Sequence, residues 1–188
     1  MTAPARAVRW TAPVQSGPPA DAATHGEVAA FLAYEAEALD SHQFDRWAEL
    51  VDDAFTYRVP VPVLQDNVSS PGYDTGSLLL DEDKTSIVEL WFGRFGADIY
   101  EFAWGDHPPV RMRHFITNVR ARNTDVPDEI DVRANVRVHM VRQTMQKGEL
   151  VAERFDRVRR MPDGLRLLSR FAVLDDLVLE APQLRVML

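Results

Sequence analysis

Five histidines, His25, His42, His107, His114 and His139, are the side chains whose ordinary titration lies near neutrality. His107 and His114, taken with Asp106, could supply the two imidazoles and one carboxylate of a mononuclear iron site. Their spacing does not specify one: His107 falls in a turn and His114 along a strand. Hydrogen bonding in an interface or a polar pocket is the better reading. A second constellation is Asp53, Tyr57 and His114. A carboxylate or imidazole base beside a phenol is what cofactor-free proton transfer needs. Asp53 and Tyr57 fall where a helix hands over to a strand, and His114 lies on a later strand. The plainer alternative is that Tyr57 fills a pocket mouth and Asp53 caps a turn. The chain has no cysteine, which excludes disulfides, thiol nucleophiles, zinc–thiolate sites and cysteine-ligated iron–sulfur clusters.

The 188 residues carry a formal charge of -8. An acidic surface repels phosphate backbones, so no nucleic-acid partner is expected. Arg154, Arg157, Arg159 and Arg160 cluster, but Glu153, Asp156 and Asp163 stand among and near them. The cluster reads as a solvated or internally paired strand face. No apolar run is long enough to span a membrane and the first residues lack a secretory pattern, so a cytoplasmic location is expected.

These side chains need elements to position them. Residues 1–23, rich in Ala and Pro, read as an extended arm, with Trp10 its one large apolar group. A single domain is expected over 24–188. Thr24 and Glu27 have capping-box spacing, and Val28, Phe31, Leu32, Ala36 and Leu39 form an apolar stripe at helical period. A short helix follows with Phe44, Trp47 and Val51. Residues 54–63 read as a strand that Pro60 and Pro62 should confine to a sheet edge. Residues 64–80 read as a long polar loop. Asp81 is placed to cap a third helix whose Ile87, Leu90, Trp91 and Phe95 face inward. Residues 112–122 alternate, with Phe115, Thr117, Val119 and Ala121 on one face and His114, Ile116, Asn118, Arg120 and Arg122 on the other. The clearest alternation is Ile130, Val132, Ala134, Val136, Val138 and Met140 against Asp131, Arg133, Asn135 and Arg137. Lys147-Gly148 and Pro162-Asp163-Gly164 are hairpin-turn signals, the second flanked by strands near 149–160 and 165–175. Helices first and an antiparallel meander afterwards give an α+β layout, with helices against one face of a curved sheet.

That order resembles the cystatin-like, nuclear-transport-factor-two-like cone, a fold that fixes no function by itself. Specific stretches are narrower. Glu35-Ala36, Leu39-Asp40, the Trp47-to-Leu50 turn and the Tyr57-to-Pro60 strand end resemble the start of the small (β) subunits of bacterial aromatic-ring-hydroxylating, Rieske non-haem iron dioxygenases. Residues 81–95 resemble that family's third helix and residues 169–179 its closing strand. Trp104, Pro108, Pro109, Arg111, Arg113, Asn118 and Val119 match its most specific block. Ala152 and Phe155 depart from the pattern, where a glycine-like and an acidic residue are expected.

The resemblance implies a non-catalytic subunit that binds no cofactor itself. The Rieske 2Fe-2S cluster and the mononuclear Fe(II) would belong to a partner α subunit in an α₃β₃ hexamer built on a β trimer. That enzyme would cis-dihydroxylate an aromatic compound with electrons from a ferredoxin and a reductase. Subunit-interface candidates are Trp104, Arg111, Arg113, Asn118, Arg120, Arg133 and Arg137. Trp47 and Trp91 have core spacing. The apolar residues Leu184, Val186, Met187 and Leu188 are expected to pack against the core or a partner. Two other classes compete. One is a stand-alone cone-fold dehydratase or isomerase, which needs a partly polar pocket with Tyr57 and His114 pointing in. The other is a binding module for a small apolar ligand.

Overall fold

The computed structural model describes residues 9–96, 109–142, 146–178 and 186–188. Helices α1 (Ala22–Asp40) and α2 (Phe44–Glu49) lead into strands β1 (Val51–Pro62) and β2 (Tyr73–Asp83). A helical turn at Lys84–Ser86, α3, runs into a π-helical segment, Ile87–Phe92, and a 3-10 turn, Gly93–Phe95. Strands β3 (Arg111–Asn123), β4 (Glu129–Arg142), β5 (Gln146–Met161) and β6 (Gly164–Leu174) complete one six-stranded sheet, ordered β2-β1-β6-β5-β4-β3. The last four strands form the expected antiparallel meander; β1 joins it by pairing parallel with β6. The sheet does not close on itself.

Helix α1 buries Val28, Phe31, Leu32, Ala36 and Leu39 as its period requires, and with them Glu35 and Ala38. It starts before Thr24. Asp21 is the N-cap, accepting from the Thr24 backbone N–H at 2.7 Å, while Glu27 pairs with Arg160. The Asp21 cap satisfies the orphan Thr24 amide, one turn before the Glu27 amide that a Thr24 cap would have served.

The prolines do not put β1 at the edge. Pairing with β6 ends at Arg58↔Phe171, and the β2 register shifts on both sides of Pro60. Beyond Arg58 the missing proline N–H groups therefore cost no ladder bond. The edge strand is β2, which occupies half of the expected loop. Its exposed positions are Gly76, Ser77, Asp81 and Asp83 together with Leu79, so no clean apolar alternation marks it. Asp81 pairs with Arg58, and Asp83 caps α3 in a capping box with Ser86. The π-helical winding keeps Ile87 and Trp91 inside but turns Leu90 out to 64% exposure. Phe95 packs against Phe44, with ring centroids 5.0 Å apart.

Strand β3 breaks its own alternation. Register shifts by one residue between Thr117 and Arg120, and Asn118 stands at φ 53°. The bulge moves the inward set from Met112, His114 and Ile116 to Val119 and Ala121, and leaves Phe115 52% exposed. The expected single-face grouping of Phe115 with Val119 is thus corrected. Asn tolerates this left-handed backbone and a β-branched residue does not. Asn118→Val should lose about 1–2 kcal/mol in urea unfolding, whereas Asn118→Gly should change stability little.

Strand β4 buries Ile130, Val132, Ala134, Val136, Val138 and Met140 as the alternation predicts, and Asp131 with them. Lys147 and Gly148 lie within β5, opposite Val141 and Met140, so they are not the turn; residues 143–145 fall outside the described residues. The turn at Asp163-Gly164 is present, with Gly164 at φ 136°. Residues 9–20 run extended along the sheet. Trp10 N–H donates to Thr75 O, and the Arg58 guanidinium stacks 4.6 Å from the Trp10 ring centroid. Further along, Pro19 bridges Arg122, and Gly17 lies so close to β3 that a Cβ would stand 1.7 Å from Asn123 O.

Candidate functional site

Four charged side chains lie in the core where α1 crosses β5 and β6: Glu35, Arg154, Asp156 and Arg170, each at most 2% exposed. Arg170 forks onto both carboxylates. Its Nη1 and Nη2 donate to Glu35 at 2.9 and 2.8 Å, and its Nε and Nη2 to Asp156 at 2.9 and 3.0 Å. Trp47 Nε1 adds a bond to Glu35 at 3.3 Å. Arg154 is less well served. Its Nε lies 3.0 Å from Asp156 and its Nη2 lies 3.6 Å from Glu35, but neither makes a hydrogen bond there. Its Nη1 donates to Leu188 O at 3.3 Å.

Two cations and two anions leave the quartet neutral, which makes burial tolerable. Burial alone would raise the Glu35 pKa, but Arg170 and Arg154 outweigh it and hold the carboxyl at about 2. Burial opposes the charge on Arg170, yet Asp156 and Glu35 raise its pKa above the ordinary value. Arg154, desolvated and next to Arg170, is shifted down.

Tyr57 on β1 and His114 on β3 both point into the cone, as the acid–base reading requires. Asp53 does not join them: its side chain is 98% exposed and pairs with Lys84 at 2.8 Å. The carboxylate beside His114 is Asp40, at the end of α1, 2.7 Å from Nδ1 and 3.2 Å from the His114 backbone N–H. The space between Tyr57 and His114 is filled by residues 186–188, which are buried in the core. Tyr57 Oη donates to Val186 O at 3.2 Å and accepts from Leu188 N–H at 3.3 Å. His114 Nε2 donates to Met187 O at 2.8 Å. Burial also raises the Tyr57 phenol above its ordinary pKa, which opposes any role as a base. Leu184 lies outside the described residues.

The other histidines make structural contacts. His25 Nε2 meets Val119 O at 2.9 Å, His42 packs on Phe44 and Phe95, and His139 lies 3.9 Å from Glu149. Among the described residues no three His, Asp or Glu side chains converge as metal ligands. Asp106 and His107 lie outside the described residues, as does Trp104.

The outer face of β3, β4 and β5 gathers three of the interface candidates, Arg120, Arg133 and Arg137. Arg133 and Arg120 both approach Glu153, the second at 3.8 Å, and Arg137 pairs with Glu149 at 2.6 Å. Arg137 stacks 6.0 Å from the Phe115 centroid and Arg133 5.1 Å from that of Phe155. Arg113 is mostly exposed and reaches Asp40 at 3.5 Å, and Arg111 is exposed at the start of β3. Of the basic cluster on β5, Arg157, Arg159 and Arg160 are paired with Asp131 and Glu129, Asp52 and Glu129, and Glu27. Arg154 departs from that reading by entering the core.

The family model described as "Ring hydroxylating beta subunit" matches residues 34–181. The chain belongs to the ring-hydroxylating β-subunit family. A chain of naphthalene 1,2-dioxygenase, in a structure with indole bound in the active site, superposes with a TM-score of 0.77 at 25% identity. The match covers 90% of this chain and 88% of that one. The β subunit of benzoate 1,2-dioxygenase from Burkholderia mallei gives 0.59 at 17% identity, over 80% and 89%. A nuclear-transport-factor-two-like protein with a cystatin-like fold from Novosphingobium aromaticivorans gives 0.51 at 20% identity, over 80% and 81%, and agrees on the fold.

Several residues that carried the resemblance to ring-hydroxylating β subunits do identifiable physical work. Glu35 anchors the quartet and Trp47 donates to it; Asp40 ties α1 to β3; Tyr57 grips residues 186–188; Asn118 makes the bulge. Asp156, Arg170 and the core role of Arg154 were missed in the sequence reading. Their signal was phase: Arg154 and Asp156 fall in step with the inward residues Leu150, Ala152 and Val158.

Proposed function

We propose that this chain is the non-catalytic structural β subunit of the terminal oxygenase of an aromatic-ring dioxygenase. It trimerises and supports three α subunits in a hexamer. The α subunits hold the Rieske cluster and the mononuclear Fe(II) and cis-dihydroxylate the ring, with electrons from a ferredoxin and a reductase in the cytoplasm. The observation that carries the non-catalytic reading is the filled cone. The polar groups that an acid–base enzyme of this fold would turn to substrate are bonded to the main chain of residues 186–188.

Co-expression with the large subunit, followed by size exclusion with mass measurement, tests this reading. A complex with equal numbers of the two chains, containing iron that the separately purified β chain lacks, is the expected result. Turnover of an aromatic compound by the β chain alone would reject it.

We assign subunit contacts to the outer face of β3–β5, where Arg120, Arg133 and Arg137 alternate with Glu149, Glu153 and the exposed Phe115. Arg111, Arg113 and Asn118 of β3 extend that assignment, and Trp104, outside the described residues, is a further subunit-contact candidate from the sequence. Exposed pairs contribute little to the fold but can set partner register. Phe115→Glu with Arg137→Glu should shift the assembly to smaller species by at least tenfold in dissociation constant. The melting temperature of the dissociated chain should stay within a few degrees.

A further inference from the structure

The grip on residues 186–188 differs from ordinary core packing. Three side chains from three strands read three consecutive residues by their main chain: Tyr57 of β1 at Val186 O and Leu188 N, His114 of β3 at Met187 O, and Arg154 of β5 at Leu188 O. Tyr57 uses its phenol as donor and acceptor at once. The apolar side chains of Val186, Met187 and Leu188 meanwhile fill the surrounding core. Main-chain bonds for affinity with apolar pockets for side chains is how proteins bind extended peptides.

We propose that the inner end of the cone is a binding site for a short, extended apolar peptide, and that residues 186–188 are its intramolecular occupant. The segment is a ligand tethered to its receptor. Its occupancy is a binding equilibrium that a free peptide of the same chemistry joins in trans. Tethering makes the local concentration of the occupant high, so the exchange is invisible while the chain is intact.

The test uses the full-length chain with a protease site introduced between residues 178 and 186, folded and then cut. Gel filtration with mass measurement should find the fragment still bound at one per chain. A fluorescent peptide of residues 184–188 should displace it saturably. His114→Ala and Tyr57→Phe in the cut chain should each weaken the peptide at least tenfold, while a peptide with Met187 and Leu188 changed to Ser should not compete. If cutting unfolds the chain, millimolar peptide must restore the folded circular dichroism signal. A cut chain that stays folded without exchanging peptide, or an unfolded one that peptide does not rescue, overturns the proposal.

Discussion

Arg170→Met should cost the fold about 3–5 kcal/mol, lowering the melting temperature by roughly 6–20 °C for a chain of this size. The change leaves the buried carboxyls of Glu35 and Asp156 with the poorly placed Arg154 as their one remaining cation in the quartet. Adding Glu35→Leu restores a neutral core, with Asp156 facing Arg154. The double variant should therefore recover about 1–3 kcal/mol relative to the sum of the single changes. Urea unfolding of the four proteins measures this coupling; simple additivity would mean that the quartet does not act as a unit. The same group sets an acid limit. The folded Glu35 pKa is about 2, below the ordinary 4.5. Its stabilisation is complete above pH 4.5 and is lost as pH falls from there toward 2. Stability measured over that window should fall less steeply in Glu35→Gln than in the unaltered chain.

Leu188→Ala should cost about 2–5 kcal/mol, and removal of residues 186–188 considerably more. Three buried apolar side chains are worth about 1.5–3 kcal/mol each. Their loss also strands Tyr57, His114 and Arg154, which donate hydrogen bonds to the carbonyls of this segment. Orphaned buried polar groups cost about 1–3 kcal/mol each. The sum approaches the whole stability of an ordinary domain, about 5–15 kcal/mol. Thermal unfolding should show the shortened chain to be marginal on its own. A shortened chain that melts within a few degrees of the full one would mean that the segment is not part of the core.

The layout of helices before a meander was legible because Val28 to Leu39 and Ile130 to Met140 repeat with the two periods that helices and strands impose. Burial on one face enforces those periods. Other features were hidden for reasons that are equally physical. Strand β2 mixes Leu79 with Gly76, Ser77, Asp81 and Asp83 at its exposed positions, so no alternation of polar and apolar residues marked it as a strand. The bulge at Asn118 adds one residue to an otherwise regular alternation, and only its partner strand reveals the slip. The parallel pairing of β1 with β6 joins distant segments, and nothing local encodes it. At the candidate site, the inward aim of Tyr57 and His114 was only a requirement of the acid–base reading, since the alternation alone grouped His114 with Arg120 and Arg122, and the partners of both were not legible. Asp40 replaced Asp53 because α1 ends directly over β3. The return of residues 186–188 into the cone was foreseen only as a need to pack four apolar side chains.

The stretch from Trp10 to Ala20 touches both outermost strands. Trp10 bonds to Thr75 of β2, while Ala20 N–H donates to Ala121 O and Asn123 N–H to Pro18 O on β3. An open sheet usually invites strand-by-strand polymerisation at its two margins. Here one peptide occupies hydrogen-bonding positions at each. The hydrogen-bonding positions it fills are closed to a second copy adding strand by strand, so indefinite fibre growth is disfavoured at both margins.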